Sequence, residues 1–111
     1  MEELIKNVAK EEDFKLAELV QVEEGQIVSC TLAQRPGCKI TVIAMDEGTD
    51  MSSHAAPGDA LVTILEGTGR FTINGVDHEL SAGESVVMPA GAPHAVHGTT
   101  AFKFLLVVVL P

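Results

Sequence analysis

The amino-acid sequence predicts an all-β fold, either a sandwich or a barrel. Apolar and polar residues alternate along most of the chain, which is the pattern of half-buried strands. Glycine and proline residues separate these segments at short intervals, as turns between strands do. Helical spacing of apolar residues is confined to one short stretch near the N-terminus. This combination favours an all-β architecture over helical or mixed α/β ones.

Length and composition are those of one globular domain. The chain has 111 residues, of which 46% are hydrophobic and 21% are charged, and these values are close to the globular average. Its 7 basic and 16 acidic residues give a net charge of −9. Nucleic acids and anionic membranes both recruit basic side chains. We therefore expect neither as a partner, and we expect the acidic N-terminal residues to form a solvated face.

The first 24 residues are predicted to form a tail and a short helix, in front of a β-barrel domain over residues 25–111. Residues 1–10 are polar and are expected to be loose or to add a strand. Residues 11–20 carry apolar side chains spaced for a short turn of helix. The start of the sequence lacks the basic and apolar regions of a secretory signal, which predicts a cytoplasmic location.

From residue 25 onward the chain is predicted to form short strands between tight turns. Pro36-Gly37 separates the first two strands, and Gly48 ends the second. Gly67-Thr68-Gly69 is predicted to be a tight turn, and Asn74-Gly75 is a strong hairpin signal. The predicted strands cover residues 26–32, 39–45, 60–66, 70–73, 76–80, 85–88, 94–97 and 101–110.

Two cysteines, Cys30 and Cys38, flank the first predicted turn. In a reducing compartment they are expected to be small, buried hydrophobic side chains. A disulfide between them and a metal or redox role are the alternatives. The sequence contains no CxxC motif and no Cys/His cluster that would favour a metal or redox role.

Two blocks rich in glycine, proline and histidine frame the central hairpin. The first block reads Gly48-x5-His54-x-Ala56-x3-Ala60-x6-Gly67. The second block reads Gly83-x5-Pro89-x-Gly91-x2-His94-x3-Gly98. Their spacing resembles the paired signature of the cupin family, over about residues 38–110. The resemblance implies a double-stranded β-helix, or jelly-roll, barrel, here with a short N-terminal helix turn.

The resemblance also implies a metal centre inside the barrel. In cupins the first block typically supplies two histidines spaced HxH and a glutamate, and the second block supplies one more histidine. Residues i and i+2 of a strand face the same side, so both imidazoles of an HxH pair can face the interior. Imidazoles and a carboxylate with open positions suit Mn, Fe, Ni or Zn as divalent ions.

Only two of these four ligands are present in this sequence. His54 and His94 match the first and the last histidine and are the candidate metal ligands. Ala56 and Ala60 replace the other histidine and the glutamate. Two imidazoles alone hold a divalent ion weakly, because water must fill the remaining positions. The two alanines also predict a wider cavity, with room for a larger ligand or for a side chain from elsewhere.

Four other side chains are weaker candidate ligands. Asp59 would reach the cavity if its turn bulges, although strand parity points it outward. His97 lies three residues after His94, so it would need a twist or a bulge to face the interior. Met51 and Met88 carry soft sulfur atoms that suit Cu(I), although methionine in a barrel generally fills the core.

Three functions are compatible with this sequence. The first is a small metal-dependent enzyme, such as an isomerase, lyase or oxygenase that binds a small metabolite through a metal on His54 and His94. The second is a metal-free, non-catalytic module that binds or senses a small molecule through a degraded metal site. The third is a structural partner domain. Cupins of this size commonly pair, and the apolar residues 102–110 offer a surface, so a homodimer is expected in each case.

Overall fold

Two antiparallel sheets face each other in the computed structural model, which describes residues 3–111. A 3₁₀ turn at Leu16–Leu19 precedes nine strands in this part of the chain. The strands are β1 Ile27–Arg35, β2 Cys38–Met45, β3 Asp50–His54, β4 Asp59–Glu66, β5 Thr68–Ile73, β6 Val76–Ser81, β7 Ser85–Met88, β8 His94–Gly98 and β9 Phe102–Val109. Among residues 3–111, no helix is long and apolar enough to cross a membrane.

The order of the strands differs from their order along the chain. The five-stranded sheet has the order β1-β2-β9-β4-β7, and the four-stranded sheet has the order β3-β8-β5-β6. All neighbouring strands are antiparallel. From β2 to β9 the chain passes repeatedly from one sheet to the other, and this winding brings distant segments together. The all-β prediction is confirmed.

Apolar side chains fill the space between the two sheets. Phe71 from the four-stranded sheet packs edge-to-face on Phe104 from the five-stranded sheet, with ring centroids 5.4 Å apart. Phe102 stacks on Phe104 with centroids 5.3 Å apart. The three side chains are at most 1% exposed. Burial of one such ring stabilises the fold by about 1.5–3 kcal/mol, and the Phe71–Phe104 contact joins the two sheets.

One predicted turn is partly a strand. Gly67 alone separates β4 from β5, and its φ of +75° is in the region that favours glycine. Gly69 lies inside β5, where an added Cβ would come within 2.4 Å of the Phe102 ring. The prediction of a turn over residues 67–69 is therefore wrong beyond Gly67, because Gly69 makes room for a core ring rather than for a turn.

The segment before β1 covers part of the outer face of the five-stranded sheet. Val20 packs with Leu32 and Val42 in a second, smaller core on that face. The Lys103 ammonium donates a hydrogen bond of 2.7 Å to the carbonyl oxygen of Ala17 and thereby ties the 3₁₀ turn to β9. The predicted helical turn is present, but it is a 3₁₀ turn of four residues.

Strand β3 is absent from the sequence-based strand assignment. Its residues are mostly polar and exposed, so they lack the alternation that signals a half-buried strand. Pairing with β8 holds it in the four-stranded sheet. Tertiary contact, rather than the local pattern, makes this segment a strand.

The two cysteines remain free thiols. Cys30 and Cys38 are both half-buried. Cys30 packs against the smaller core on the outer face of the five-stranded sheet, which we call the outer core. Cys38 is the first residue of β2. The disulfide that the sequence left open is not formed in this structure.

Candidate functional site

Two histidines from distant parts of the chain meet at the ends of neighbouring strands. His54 is the last residue of β3, His94 is the first residue of β8, and the two are cross-strand partners. Their ring centroids lie 4.3 Å apart, with the ring planes at 64°. His94 is buried and His54 is exposed. The pair therefore lies at the boundary between the interior of the barrel and the solvent.

An irregularity in β3 brings His54 to the same cavity as Met51. In the β3–β8 ladder Met51 pairs with Val96 and His54 pairs with His94, so three steps along β3 match two steps along β8. In a regular strand Met51 and His54 would face opposite sides. The extra residue acts as a β-bulge, and both side chains line one cavity.

Backbone carbonyl groups orient both imidazole rings. His54 Nδ1 lies 3.1 Å from the carbonyl oxygen of Ser52, and His94 Nδ1 lies 3.2 Å from that of Ala92. A carbonyl oxygen only accepts hydrogen bonds, so these contacts favour the tautomer with the proton on Nδ1. In that neutral tautomer Nε2 carries the lone pair. Among residues 3–111, neither Nε2 atom has a hydrogen-bond partner.

The cavity beside the two rings is small and apolar. Its volume is about 60 Å³. The lining residues are Ile43, Met51, His54, Phe71, Met88, His94, Val96, Phe104 and Leu106. Apart from the two histidines, none of these side chains is charged or can donate a hydrogen bond.

The expectation of a wider cavity next to the alanines is wrong, since neither alanine lines it. Strand β3 ends at His54, so Ala56 lies in the following loop, where its carbonyl oxygen accepts a hydrogen bond of 2.8 Å from the Gly91 amide. Ala60 is buried between its cross-strand neighbours Met88 and Val108. These longer side chains occupy the room that the short alanine leaves.

Asp59 and His97, the weaker candidate ligands, lie outside the cavity. Asp59 Oδ1 accepts a hydrogen bond of 2.8 Å from the Ala90 amide, so its carboxylate supports the loop before β8. His97 Nδ1 lies 2.7 Å from Asp50 Oδ1, and this contact is partly exposed to solvent. Strand parity predicted the outward direction of both side chains. Among residues 3–111, no group of three His, Cys, Asp or Glu side chains could hold a metal ion.

Met51 and Met88 line the cavity together with the two histidines. Met51 comes from β3 in the four-stranded sheet, and Met88 ends β7 in the five-stranded sheet. Met88 is buried, whereas Met51 is half-buried. The sequence pattern indicated core filling for both, because neither the bulge nor the opposition of β3 and β7 is visible in it.

The comparisons with known proteins agree with this architecture. Residues 41–109 match the sequence profile described as the cupin domain. This range includes the cavity residues Met51, His54, Met88 and His94. The chain belongs to the cupin family. No match was found among curated proteins.

Solved structures of similar proteins agree with the predicted double-stranded β-helix. A conserved protein of unknown function from Streptococcus pyogenes is 41% identical, with a TM-score of 0.96 over 99% of this chain and 96% of its own. A cupin superfamily protein from Desulfitobacterium hafniense is 29% identical, with a TM-score of 0.92 over 96% of this chain and 98% of its own.

A more distant structural relative bears an enzyme name. A predicted oxalate decarboxylase from Thermotoga maritima is 24% identical, with a TM-score of 0.71 over 77% of this chain and 81% of its own. At this identity the likeness shows the fold alone. What this chain binds must therefore be argued from its own residues.

The four-ligand centre implied by the family resemblance does not fit this cupin. Ala56 lies in a loop and carries no donor, and the surroundings of Ala60 are filled by apolar side chains. Only His54 and His94 occupy positions of that ligand set. The carboxylate, which is the anionic member of the set, is missing. The donors that line the cavity are two imidazoles and two thioethers, and none of them carries a negative charge.

Proposed function

We propose that this cupin is a binding protein for a small ligand that is held between His54 and His94. One observation carries the proposal: two imidazole rings, each with an available Nε2 lone pair, meet at an otherwise apolar cavity. Outside this pair the cavity has no acid or base that could move a proton. Binding is therefore favoured over catalysis.

The size of the cavity limits the ligand. Pockets that enclose a whole metabolite or drug have volumes of about 300–1,000 Å³, whereas this cavity has about 60 Å³. It accommodates a single ion or a group of a few heavy atoms. Because His54 is exposed, the remainder of a larger ligand would lie in solvent beside that ring.

A metal-dependent enzyme is the second candidate. Two imidazoles leave coordination positions open, and the exposed His54 ring gives a substrate access to them. Mn, Fe, Ni or Zn would be the divalent metal in this case. A predicted oxalate decarboxylase that shares this fold is consistent with the alternative.

Thermal unfolding with a panel of ligands tests the role of the histidine pair. We expect divalent metal ions or a member of a small-metabolite panel to raise Tm by about 10 °C at 100 times its Kd. His54→Ala should abolish this shift, since it removes one of the two lone pairs. His78→Ala is the matched control, because His78 lies on β6 outside the cavity.

Two outcomes decide between binding and metal-dependent catalysis. A metabolite that stabilises the protein in the presence of EDTA supports metal-free binding, whereas loss of its effect in EDTA supports the metal-dependent alternative. Equal shifts in wild type and in both His54→Ala and His94→Asn would reject the histidine pair as the site.

We also propose that the protein is a cytoplasmic homodimer. Leu61 on β4 and Val87 on β7 are exposed cross-strand partners on the outer face of the five-stranded sheet, and Val109 on β9 is exposed on the same sheet. A second copy of the chain is a suitable cover for such an apolar surface. The two unpaired thiols support a reducing compartment, which cell fractionation would test.

A further inference from the structure

We infer that the cavity is a binding site for Cu(I), formed by Nε2 of His54 and His94 and by the thioether sulfurs of Met51 and Met88. The inference rests on the proposed role of the histidine pair and adds the identity of the ligand. It follows from the two methionines that line the same cavity as both imidazoles. None of these four donors carries a negative charge.

The four donors come from both walls of the barrel. Met51 and His54 lie on β3, and His94 lies on the neighbouring β8 in the four-stranded sheet. Met88 approaches from β7 in the opposite sheet. The β-bulge between Met51 and His54 places the sulfur and the imidazole of one strand on the same side. The four residues therefore line the cavity from both sheets.

The chemistry of this donor set selects a soft ion. Thioether and imidazole ligands favour Cu(I), whereas carboxylate and water suit harder divalent ions. The Born cost of burying an ion rises with the square of its charge, so a monovalent ion is much easier to place among neutral ligands in an apolar cavity. Replacement of the usual glutamate by Ala60 removes the anion that a divalent ion would need.

The volume of the cavity agrees with an ion as the ligand. About 60 Å³ is too small for most metabolites but sufficient for one metal ion. The carbonyl oxygens of Ser52 and Ala92 lie beside Nδ1 of the two rings and favour the tautomer in which Nε2 has the lone pair. A backbone carbonyl on the other nitrogen is the common outer contact of a metal-binding histidine.

Met45 is a methionine of this protein that fills the core without lining the cavity. Met45 is fully buried in the same apolar core, yet it does not line the cavity. Met51, by contrast, is half-buried beside an exposed histidine. Met45→Leu is therefore a matched control for the loss of a thioether that is not a ligand.

The two thiols must be removed before the site is tested, because thiolates also bind Cu(I). Cys30 belongs to the outer core, and Cys38 precedes Ile40 and Val42 of that core on the same face of β2. Both lie across the five-stranded sheet from the cavity. Cys30→Ser with Cys38→Ser therefore gives a background in which Cu(I) binding reports on the interior.

Competition with bicinchoninate under anaerobic conditions measures the binding. In the cysteine-free background, the full chain should withdraw one equivalent of Cu(I) from the coloured complex. Met51→Leu and Met88→Leu should each weaken Cu(I) binding by at least about tenfold, since each removes a direct ligand. Met45→Leu should leave the affinity unchanged, and circular dichroism should show that each variant is folded.

X-ray absorption of the Cu(I)-loaded, cysteine-free chain gives a second readout that needs no methionine variant. Sulfur scatterers next to copper would support the site, because methionine is then the only source of sulfur. A shell of nitrogen and oxygen alone would overturn it, as would Met51→Leu and Met88→Leu proteins that bind Cu(I) like the background.

The outcomes distinguish failure of the copper site from failure of the histidine pair. If His54→Ala abolishes binding of another ligand while the chain fails to withdraw Cu(I), the copper site is rejected and the histidine pair stands. If His54→Ala and His94→Asn alter the binding of neither Cu(I) nor any ligand of the panel, both proposals are rejected.

Discussion

At the scale of single residues, the surroundings of a side chain decide its role more than its type does. Of the four histidines, only His54 and His94 line the interior cavity. His97 instead pairs with Asp50 on the outside of the barrel. The two glycines of the motif Gly67-Thr68-Gly69 also differ, since the first allows a positive φ and the second admits an aromatic ring.

Substitution of Gly69 tests this reading of the core. We expect Gly69→Ala to lower the free energy of unfolding by about 1–3 kcal/mol, because the new methyl group collides with the tightly packed Phe102 ring. Gly37→Ala is the control, since a Cβ there meets no atom within 4 Å. Chemical denaturation of both variants measures the difference. Equal stabilities would contradict the close approach of Gly69 and Phe102.

The sequence predicted that His54 and His94 face one cavity, but it did not predict which other side chains line that cavity. The block spacing singled out His54 and His94, because turn glycines and prolines at fixed offsets mark the motif independently of the contacts. The parity rule also gave the outward direction of His97. The same rule could not place Met51 beside His54, since a bulge of one residue reverses the parity between them.

At the scale of secondary-structure elements, strands with an apolar inner face were predicted and β3 was not. β4 carries Val62 and Ile64 on its inner face. The alternation of its sequence therefore shows that the segment is a strand and which of its side chains face the core. β3 is polar and exposed and is a strand only because β8 pairs with it. A segment held mainly by tertiary contacts leaves little signal in the local sequence.

The size of the cavity could not be predicted from the two alanines for a related reason. A short side chain gives space only if its neighbours leave that space empty. Ala60 has Met88 and Val108 as cross-strand neighbours, and these pairings belong to strands that are distant in sequence. The expected enlargement therefore depended on strand order, which the sequence pattern does not contain.

At the scale of the whole molecule, the two faces of the five-stranded sheet have different partners. Its inner face packs on the four-stranded sheet, and part of its outer face is covered by the N-terminal segment. Leu61 and Val87 remain exposed on strands β4 and β7. The proposed homodimer assigns this remaining surface to a second copy of the chain.

Charge substitution at this surface tests the dimer. We expect Leu61→Glu with Val87→Glu to convert a dimer to a monomer, because burying two carboxylates in an apolar interface is unfavourable. Sedimentation velocity measures the mass in solution. Val76→Glu, at an exposed position on the four-stranded sheet, should leave the dimer intact. A wild-type protein that sediments as a monomer would contradict the assignment.

Long-range proton–nitrogen correlation NMR of the imidazole rings tests the account most directly, because it reports which nitrogen of each ring carries the proton. For neutral His54 and His94 we predict protonated Nδ1 and unprotonated Nε2, since each Nδ1 faces a backbone carbonyl. Addition of Cu(I), or of a ligand from the panel that raises Tm, should shift the Nε2 resonances of both rings. The resonances of His78 should not move. Rings protonated at Nε2, or Nε2 resonances unmoved by every ligand including Cu(I), would contradict the proposed site.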